Sequence, residues 1–256
     1  MIPASVSFYL AGRVRIESGD LILGADDFPG QQGRLAFAFL LLERGRPVSR
    51  SELAAILWPT QMPAAWDSAL SAIISKLRTL LAELGDGWSE GLVGARGSYE
   101  LRCPVIPWVD VEAAVESLHE GESAIRRGDF AAAFGPTAVA MHITQRPFFP
   151  GEDAAWVERR RDRLRDCHLR ALEARAAIYL WNNEPVFALQ NGKEVIALEP
   201  FRESGYRLVM QAHVKMGNTA EALRTYERCR RLIADELGVD PSPDTKAMHE
   251  DVLRLV

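Results

Sequence analysis

The chain is predicted to fold as an α+β winged helix-turn-helix over residues 1–104, followed by an all-α, tetratricopeptide-like helical domain over residues 105–256. Three observations predict this. Short apolar runs broken by glycine-centred turns open the chain. Three helix-length apolar segments and a glycine-flanked hairpin complete the first hundred or so residues. Beyond them the apolar period is helical throughout, and small anchor residues recur at the spacing of a helical repeat.

Residues 6–28 carry Phe8, Leu10, Val14, Ile16, Leu21, Leu23 and Phe28 between Gly12, Ser18-Gly19-Asp20 and Gly24-Ala25-Asp26-Asp27. This is the pattern of small antiparallel strands joined by tight turns. After Pro29-Gly30 the pattern lengthens, and Leu35, Phe37, Phe39, Leu40, Leu41 and Leu42 predict a buried helix of about fourteen residues. Ser49, with Glu52 three residues on, has capping-box spacing and opens a short second helix through Leu53, Ile56 and Leu57 to Trp58-Pro59. A third helix is predicted from Trp66 to Leu84, with Gly85 at its C′ position, because Leu70, Ile73, Ile74, Leu77, Leu81 and Leu84 keep the helical period. Residues 92–101 then read as a hairpin with Arg96 at its tip.

Residues 103–107, with two prolines, mark the expected boundary, and no strand is predicted beyond them. Asp129-Phe-Ala-Ala-Ala133, Glu184-Pro-Val-Phe-Ala188 and Thr219-Ala-Glu-Ala222 each lead into an amphipathic helix. Ala188 and Ala222 lie 34 residues apart, the tetratricopeptide period. Ala222, Tyr226 and Cys229 give small–aromatic–small packing at i, i+4 and i+7, and Pro200 closes the middle unit. Ala133 and Ala188 lie 55 residues apart, so an insertion, or a long helix from Glu152 to Trp181, interrupts the array; Trp156, Leu164, Cys167, Ala171, Ala174 and Ile178 mark the buried side of that stretch. Tyr179, Trp181, Phe187 and Tyr206 are expected in the core; a concave pocket lined by them would instead mark a ligand sensor.

Thirty Lys and Arg against 35 Asp and Glu give a net charge of −5, which excludes a chain sheathed in positive charge for nucleic acid or membrane. Residues 1–105 hold 10 basic and 11 acidic groups and residues 106–256 hold 20 and 24, so most of the acidity belongs to the helical half. The three cysteines form no CxxC pair and the five histidines no metal-ligand spacing; neither a disulfide framework nor a metal site is expected. No nucleophile elbow, phosphate loop or dinucleotide fingerprint occurs, so the chain is read as a non-enzyme without cofactors. Residues 1–15 lack a leader pattern, and no apolar run is long enough for a membrane span, so a cytoplasmic protein without membrane partners is expected. No receiver domain is expected ahead of the first strand, and no nucleotide-binding or phosphothreonine-reading extension after residue 256. Five arginines between Glu158 and Asp166 are interleaved with acids four residues apart, which reads as a solvated helix face.

Two stretches carry a family resemblance. Arg34-Leu-Ala-Phe-Ala-Phe-Leu-Leu-Leu, Pro47-Val-Ser-Arg-Ser-Glu-Leu-Ala-Ala-Ile-Leu-Trp-Pro and Ala69-Leu70 with Ser75-Lys-Leu-Arg78 resemble the OmpR-type winged helix, and more closely that of the antibiotic regulatory protein (SARP-type) activators. Trp108-Val-Asp-Val-Glu, Arg146-Pro-Phe-Phe-Pro-Gly151 before Trp156, Leu198-Glu-Pro-Phe-Arg-Glu203, and Ala222-Leu-Arg-Thr-Tyr226 followed by Glu236-Leu-Gly-Val-Asp-Pro-Ser242 look like the bacterial transcriptional activator domain of those regulators. The resemblance implies a DNA-binding transcriptional activator that sits head-to-tail on promoter direct repeats, with a helical domain for homodimerisation or regulation. It also implies that the loop between the second and third helices, with Trp58, Thr60, Gln61 and Met62, faces RNA polymerase.

A helix that reads the major groove needs one face free of core duty. Ser68, Ser71, Ser75, Arg78 and Thr79, flanked by Lys76, form such a stripe. Arg96 at the hairpin tip suits the minor groove, and Arg50 and Ser51 at the start of the second helix suit a phosphate. With so few cations, binding is expected to be weak and salt-sensitive. The competing reading is a tetratricopeptide-like interaction scaffold or ligand sensor with a degenerate winged helix that binds no DNA.

Overall fold

The computed structural model describes residues 6–255; residues 1–5, part of the stretch read above for a leader, and residue 256 lie outside the described residues. The chain divides into two compact units, one of residues up to Ala113 with Arg146–Leu164, the other of Ala114–Gln145 with Arg165 onward.

In the first unit β1 (Val6–Tyr9), β2 (Arg15–Ser18) and β3 (Leu21–Leu23) form an antiparallel meander. α1 (Gly30–Leu42) follows; Leu35, Phe37, Phe39, Leu40 and Leu41 are all buried, so it runs through the core. Phe8 of β1 meets the rings of Phe37 at 5.4 Å and Trp88 at 5.7 Å, joining sheet to helix. Next come β4 (Val48–Ser49), α2 (Arg50–Leu57), α3 (Trp66–Ala82) and the short α4 (Trp88–Gly91). β5 (Leu92–Ala95) and β6 (Ser98–Leu101) pair antiparallel, and β4 adds to β6. Arg96 and Gly97 at the turn have φ of 50° and 78°, the left-handed pair that a two-residue type I′ hairpin requires.

A strand does lie beyond residue 107, contrary to expectation. β7 (Trp108–Val109) pairs parallel with β1, giving a four-stranded sheet in the order β3-β2-β1-β7. Two residues are too few to leave an alternation in the sequence. Asp110 follows with a fully buried carboxylate that accepts from the backbone N–H groups of Leu10 (2.9 Å), Ala11 (3.0 Å) and Val111 (2.8 Å). Residues 146–164 also belong to this unit. Gly12 N–H donates to Pro147 O at 2.8 Å, Phe149 N–H to Leu10 O at 3.3 Å, and Arg161 Nε to Phe148 O at 2.9 Å. Phe148, Phe149 and Trp156 bury their rings against one another. The compact units therefore divide the chain differently from a single cut near residue 104, because buried rings and backbone bonds draw residues 146–164 into the first unit.

α5 (Asp110–Arg126), α6 (Phe130–Thr144), α7 (Ala155–Trp181), α8 (Pro185–Leu198), α9 (Glu203–Lys215), α10 (Thr219–Leu237) and α11 (Pro243–Leu253) follow. In the second unit the three anchor alanines, Ala133, Ala188 and Ala222, are fully buried. A Cβ at Gly205 of α9 would come within 2.9 Å of Val195 Cγ1 on α8, and one at Gly192 of α8 within 2.9 Å of Val209 Cγ2 on α9; small residues on both faces let these helices approach. Ala222 and Tyr226 pack with Met210 and Val252, and Cys229 with Tyr206 and Ile233.

α7 starts at Ala155, three residues later than expected, because the Glu152 side chain is buried and accepts from Gln31 Nε2 at 2.6 Å. Of the aromatics expected in the core, Tyr206 is buried, but Trp181 is 57 % and Phe187 49 % exposed. Each ring meets an aromatic neighbour, Trp181 with Phe130 at 5.2 Å and Phe187 with Tyr179 at 5.2 Å. A cavity of this unit, about 220 Å³, is lined by Leu180, Val214, Met248, Val252 and Leu255.

Candidate nucleic-acid interface

α3 is amphipathic. Leu70, Ile74, Leu77, Leu80 and Leu81 are buried, and Ser68, Ser71, Ser75, Lys76 and Thr79 are exposed on the other side. The helical period accounts for this division, since positions 68, 71, 75 and 79 fall within one stripe on the side of the helix away from the buried residues.

Arg78 does not belong to that open stripe. Its Nε donates to Leu92 O at 3.0 Å, so the half-buried side chain clips α3 to β5, and Gly94 leaves room for the guanidinium, since a Cβ there would lie 3.2 Å from Nη2. Arg50 is likewise held within the fold. Its Nη2 donates to Asp67 Oδ1 at 2.6 Å, Asp67 O at 2.9 Å and Ser71 Oγ at 3.0 Å; Nε donates to Asp67 Oδ1 at 2.9 Å, and Nη1 to the Tyr99 hydroxyl. The Arg50 guanidinium also lies 5.2 Å from the Tyr99 ring centroid, a cation–π distance. Ser71 Oγ in turn donates to Asp67 O at 2.9 Å.

Asp67 and Tyr99 thus govern Arg50, and neither was singled out from the sequence. The available signal was the acid in the first turn of α3. Tyr99 gave none, because its pairing with Arg50 spans 49 residues. Ser51 is exposed, its Oγ 3.1 Å from Ser49 Oγ. Ser49 caps α2, accepting from Glu52 N–H at 3.0 Å. The reciprocal half of a capping box is missing because Glu52 turns to Arg46, whose Nη2 and Nη1 approach at 2.6 and 3.0 Å; those hydrogen bonds hold the Glu52 carboxyl below its usual range.

Lys76 on α3 and Arg96 at the hairpin tip, both exposed, have neither an ion pair nor a side-chain hydrogen bond among the described residues; Arg78 also lacks an ion pair, its bond being to the Leu92 carbonyl. Thr79 Oγ1 donates to Ser75 O at 3.3 Å, so its hydroxyl is partly spent within the helix. In the α2–α3 loop Trp58 is half-buried, whereas Thr60, Gln61 and Met62 are exposed.

Residues 109–253 match the family described as "Bacterial transcriptional activator domain". The chain belongs to this family. The resemblance to SARP-type activators drawn from the sequence therefore holds. The activator-domain chain is 30 % identical over 224 residues to "Regulatory protein AfsR" of Streptomyces coelicolor, covering 87 % of this chain and 22 % of that protein. It is 27 % identical over 228 residues to "Regulatory protein DnrI" of Streptomyces peucetius, covering 86 % and 83 %. The chain thus spans less than a quarter of the length of the first relative and most of the second. A solved structure of Mycobacterium tuberculosis EmbR, in complex with a low-affinity phosphopeptide, superposes with a TM-score of 0.88 at 24 % identity, covering 98 % of this chain and 66 % of that one. The two share a fold.

The activator-domain signatures meet in three dimensions. Glu203, the last residue of Leu198-Glu-Pro-Phe-Arg-Glu203, accepts from Ser242, the last of Glu236-Leu-Gly-Val-Asp-Pro-Ser242: Ser242 N–H lies 3.0 and 2.9 Å from the two carboxylate oxygens and Ser242 Oγ 2.7 Å from Oε2. Burial acts to raise the Glu203 carboxyl, but the hydrogen bonds from Thr245 and Ser242 and the nearby Arg207 outweigh it and leave it below its usual range. In the long helix, Glu158 pairs with Arg161, while Asp166 takes Arg170 and Arg202. No described helix is long and apolar enough to cross a membrane.

Proposed function

We propose that the chain is a sequence-specific DNA-binding transcriptional regulator of the activator kind. On this reading residues 1–104 form a winged helix: α3 enters the major groove, the β5–β6 hairpin is the wing, and the N-terminus of α2 faces a phosphate. The observation that carries it is the exposed, hydroxyl-rich face of α3, Ser68, Ser71, Ser75 and Thr79 with Lys76, which has no core to cover. Hydroxyls and a cation on one helical stripe suit phosphate and base-edge contacts. The names of its relatives, regulatory proteins throughout, support the reading. The helical region from residue 105 serves homodimerisation on direct repeats, and Trp58, Thr60, Gln61 and Met62 meet RNA polymerase.

A fluorescence-anisotropy titration of the full chain on the region upstream of its own gene tests this. Saturable binding that loses affinity in Lys76→Ala and Arg96→Ala is the expected result; equal binding of wild type and both variants defeats it. A scaffold without DNA is the second reading, favoured by one observation: Arg50 and Arg78 are both engaged inside the fold.

A further inference from the structure

We infer that the first unit carries a second binding site, a pocket for a small phosphate-type dianion. A cavity of about 140 Å³ opens where the end of α1 meets the first turns of α7. Phe39 and Glu43 line it from one side, and Trp156, Arg159, Arg160 and Arg163 from the other. A space of this size admits a phosphate-sized group.

The charge of the lining fits a dianion. Three guanidinium groups face one carboxylate, and that carboxylate is already shared between Arg160 (Nη2 3.3 Å from Oε1) and Arg46 (Nε 2.9 Å from Oε2). Arg159 and Arg163 stand one helical turn apart, exposed, with no ion pair among the described residues, although Glu158 and Asp162 lie beside them in sequence. On this helix Glu158 pairs with Arg161, which also donates to the carbonyls of Phe148 and Phe149, and Asp166 pairs with Arg170, in keeping with the solvated-face reading; Arg159 and Arg163 are the arginines that this pairing leaves out. Like charges at i and i+4 repel, and an anion between them relieves the repulsion.

A further observation points the same way. Trp156, 4 % exposed, has a buried indole Nε1–H with no acceptor among the described residues. A buried donor left unpaired is costly, and Trp156 is the lining residue that carries one. Planar guanidinium forks match phosphate oxygens two at a time. A concave pocket lined by three guanidinium groups suits a terminal phosphate.

Isothermal titration of the full chain with inorganic phosphate at constant ionic strength tests the site, with phenyl phosphate and a short DNA duplex as parallel arms. One saturable site per chain is expected for phosphate or the monoester, weakened at least about tenfold, one log unit of affinity, in the double variant Arg159→Gln/Arg163→Gln. Arg165→Gln, outside the lining, should bind as wild type. Binding should weaken as pH falls through about 6, where a phosphomonoester loses its second charge. Tighter binding of phenyl phosphate identifies a phosphorylated molecule as the ligand; equal or weaker binding identifies free phosphate. Absence of saturable binding by both, or affinity unchanged in the double variant, overturns the proposal. So does a loss confined to duplex binding, which would assign these arginines to a nucleic-acid backbone. The exposed positions of both arginines leave the core intact, and an unchanged melting temperature verifies it.

Discussion

Arg50 Nη2 lies 2.6 Å from Asp67 Oδ1, so the first residue of α2 is tied to the first turn of α3. The pair sets the angle at which the two helices leave the loop between them, and it neutralises the cation best placed to meet a phosphate at the α2 N-terminus.

Removing the acid should therefore release the base. In Asp67→Ala, duplex affinity should rise several-fold, and the plot of log affinity against log salt should steepen by about 0.9, one further phosphate contact. Asp67 is 65 % exposed in its side chain, so the stability cost should stay below about 1 kcal/mol. Anisotropy titrations across a salt series check both slope and affinity; weaker binding with an unchanged slope would place Asp67 itself at the DNA.

Lys76 and Arg96 should act as uncompensated phosphate contacts. Each alanine variant should weaken binding to any duplex sequence and flatten the salt slope by about 1, and the double variant should lose both contributions. Comparison of an upstream fragment with a scrambled one separates this uniform loss from a change of sequence preference.

Arg78 should behave as a structural residue. Arg78→Ala removes the bond to Leu92 O that joins α3 to β5, for a loss of about 1–2 kcal/mol in urea unfolding. The salt slope of DNA binding should remain that of the wild type, and a flattened slope would return Arg78 to the interface.

Glu203 gives the helical unit an acid-sensitive clamp. Its carboxyl is held below its usual value, so the stability it contributes is fully present above about pH 4.3, the ordinary carboxylate value, and is lost as pH falls through the lowered folded value. Glu203→Gln should cost about 1–3 kcal/mol at neutral pH, because Ser242 N–H and Oγ lose a charged acceptor. The variant's melting temperature should also fall less steeply with acid than that of the wild type. Thermal melts from about pH 3 to pH 7 read both effects.

Asp110 should be intolerant of its closest isostere. Asp110→Asn turns an amide NH₂ toward backbone N–H groups that both carboxylate oxygens now serve, at Leu10, Ala11 and Val111. A loss of about 1–3 kcal/mol is expected, with faster hydrogen exchange at Leu10 and Ala11 if the clip between them and Asp110 opens locally.

The local elements were legible because periodicity and turn chemistry are local. The Leu70–Ile74–Leu77 stripe, the Ser49 cap, the Arg96-Gly97 turn and the buried alanines 188 and 222 each follow from neighbours within a turn or two, or from one repeat length. So did the polar face of α3, which is what remains when the apolar period is subtracted. Tertiary structure decided the rest through contacts that leave no trace at short range. β7 exists because two residues find a parallel partner a hundred positions earlier. Residues 146–164 join the first unit through buried rings and backbone bonds to residues 10–12. Two arginines read from the sequence as DNA contacts also donate within the fold, to Asp67 and to Leu92 O. A sequence shows how many charges a surface has, but only the fold shows which of them are already paired, since pairing depends on distances between elements that the chain brings together.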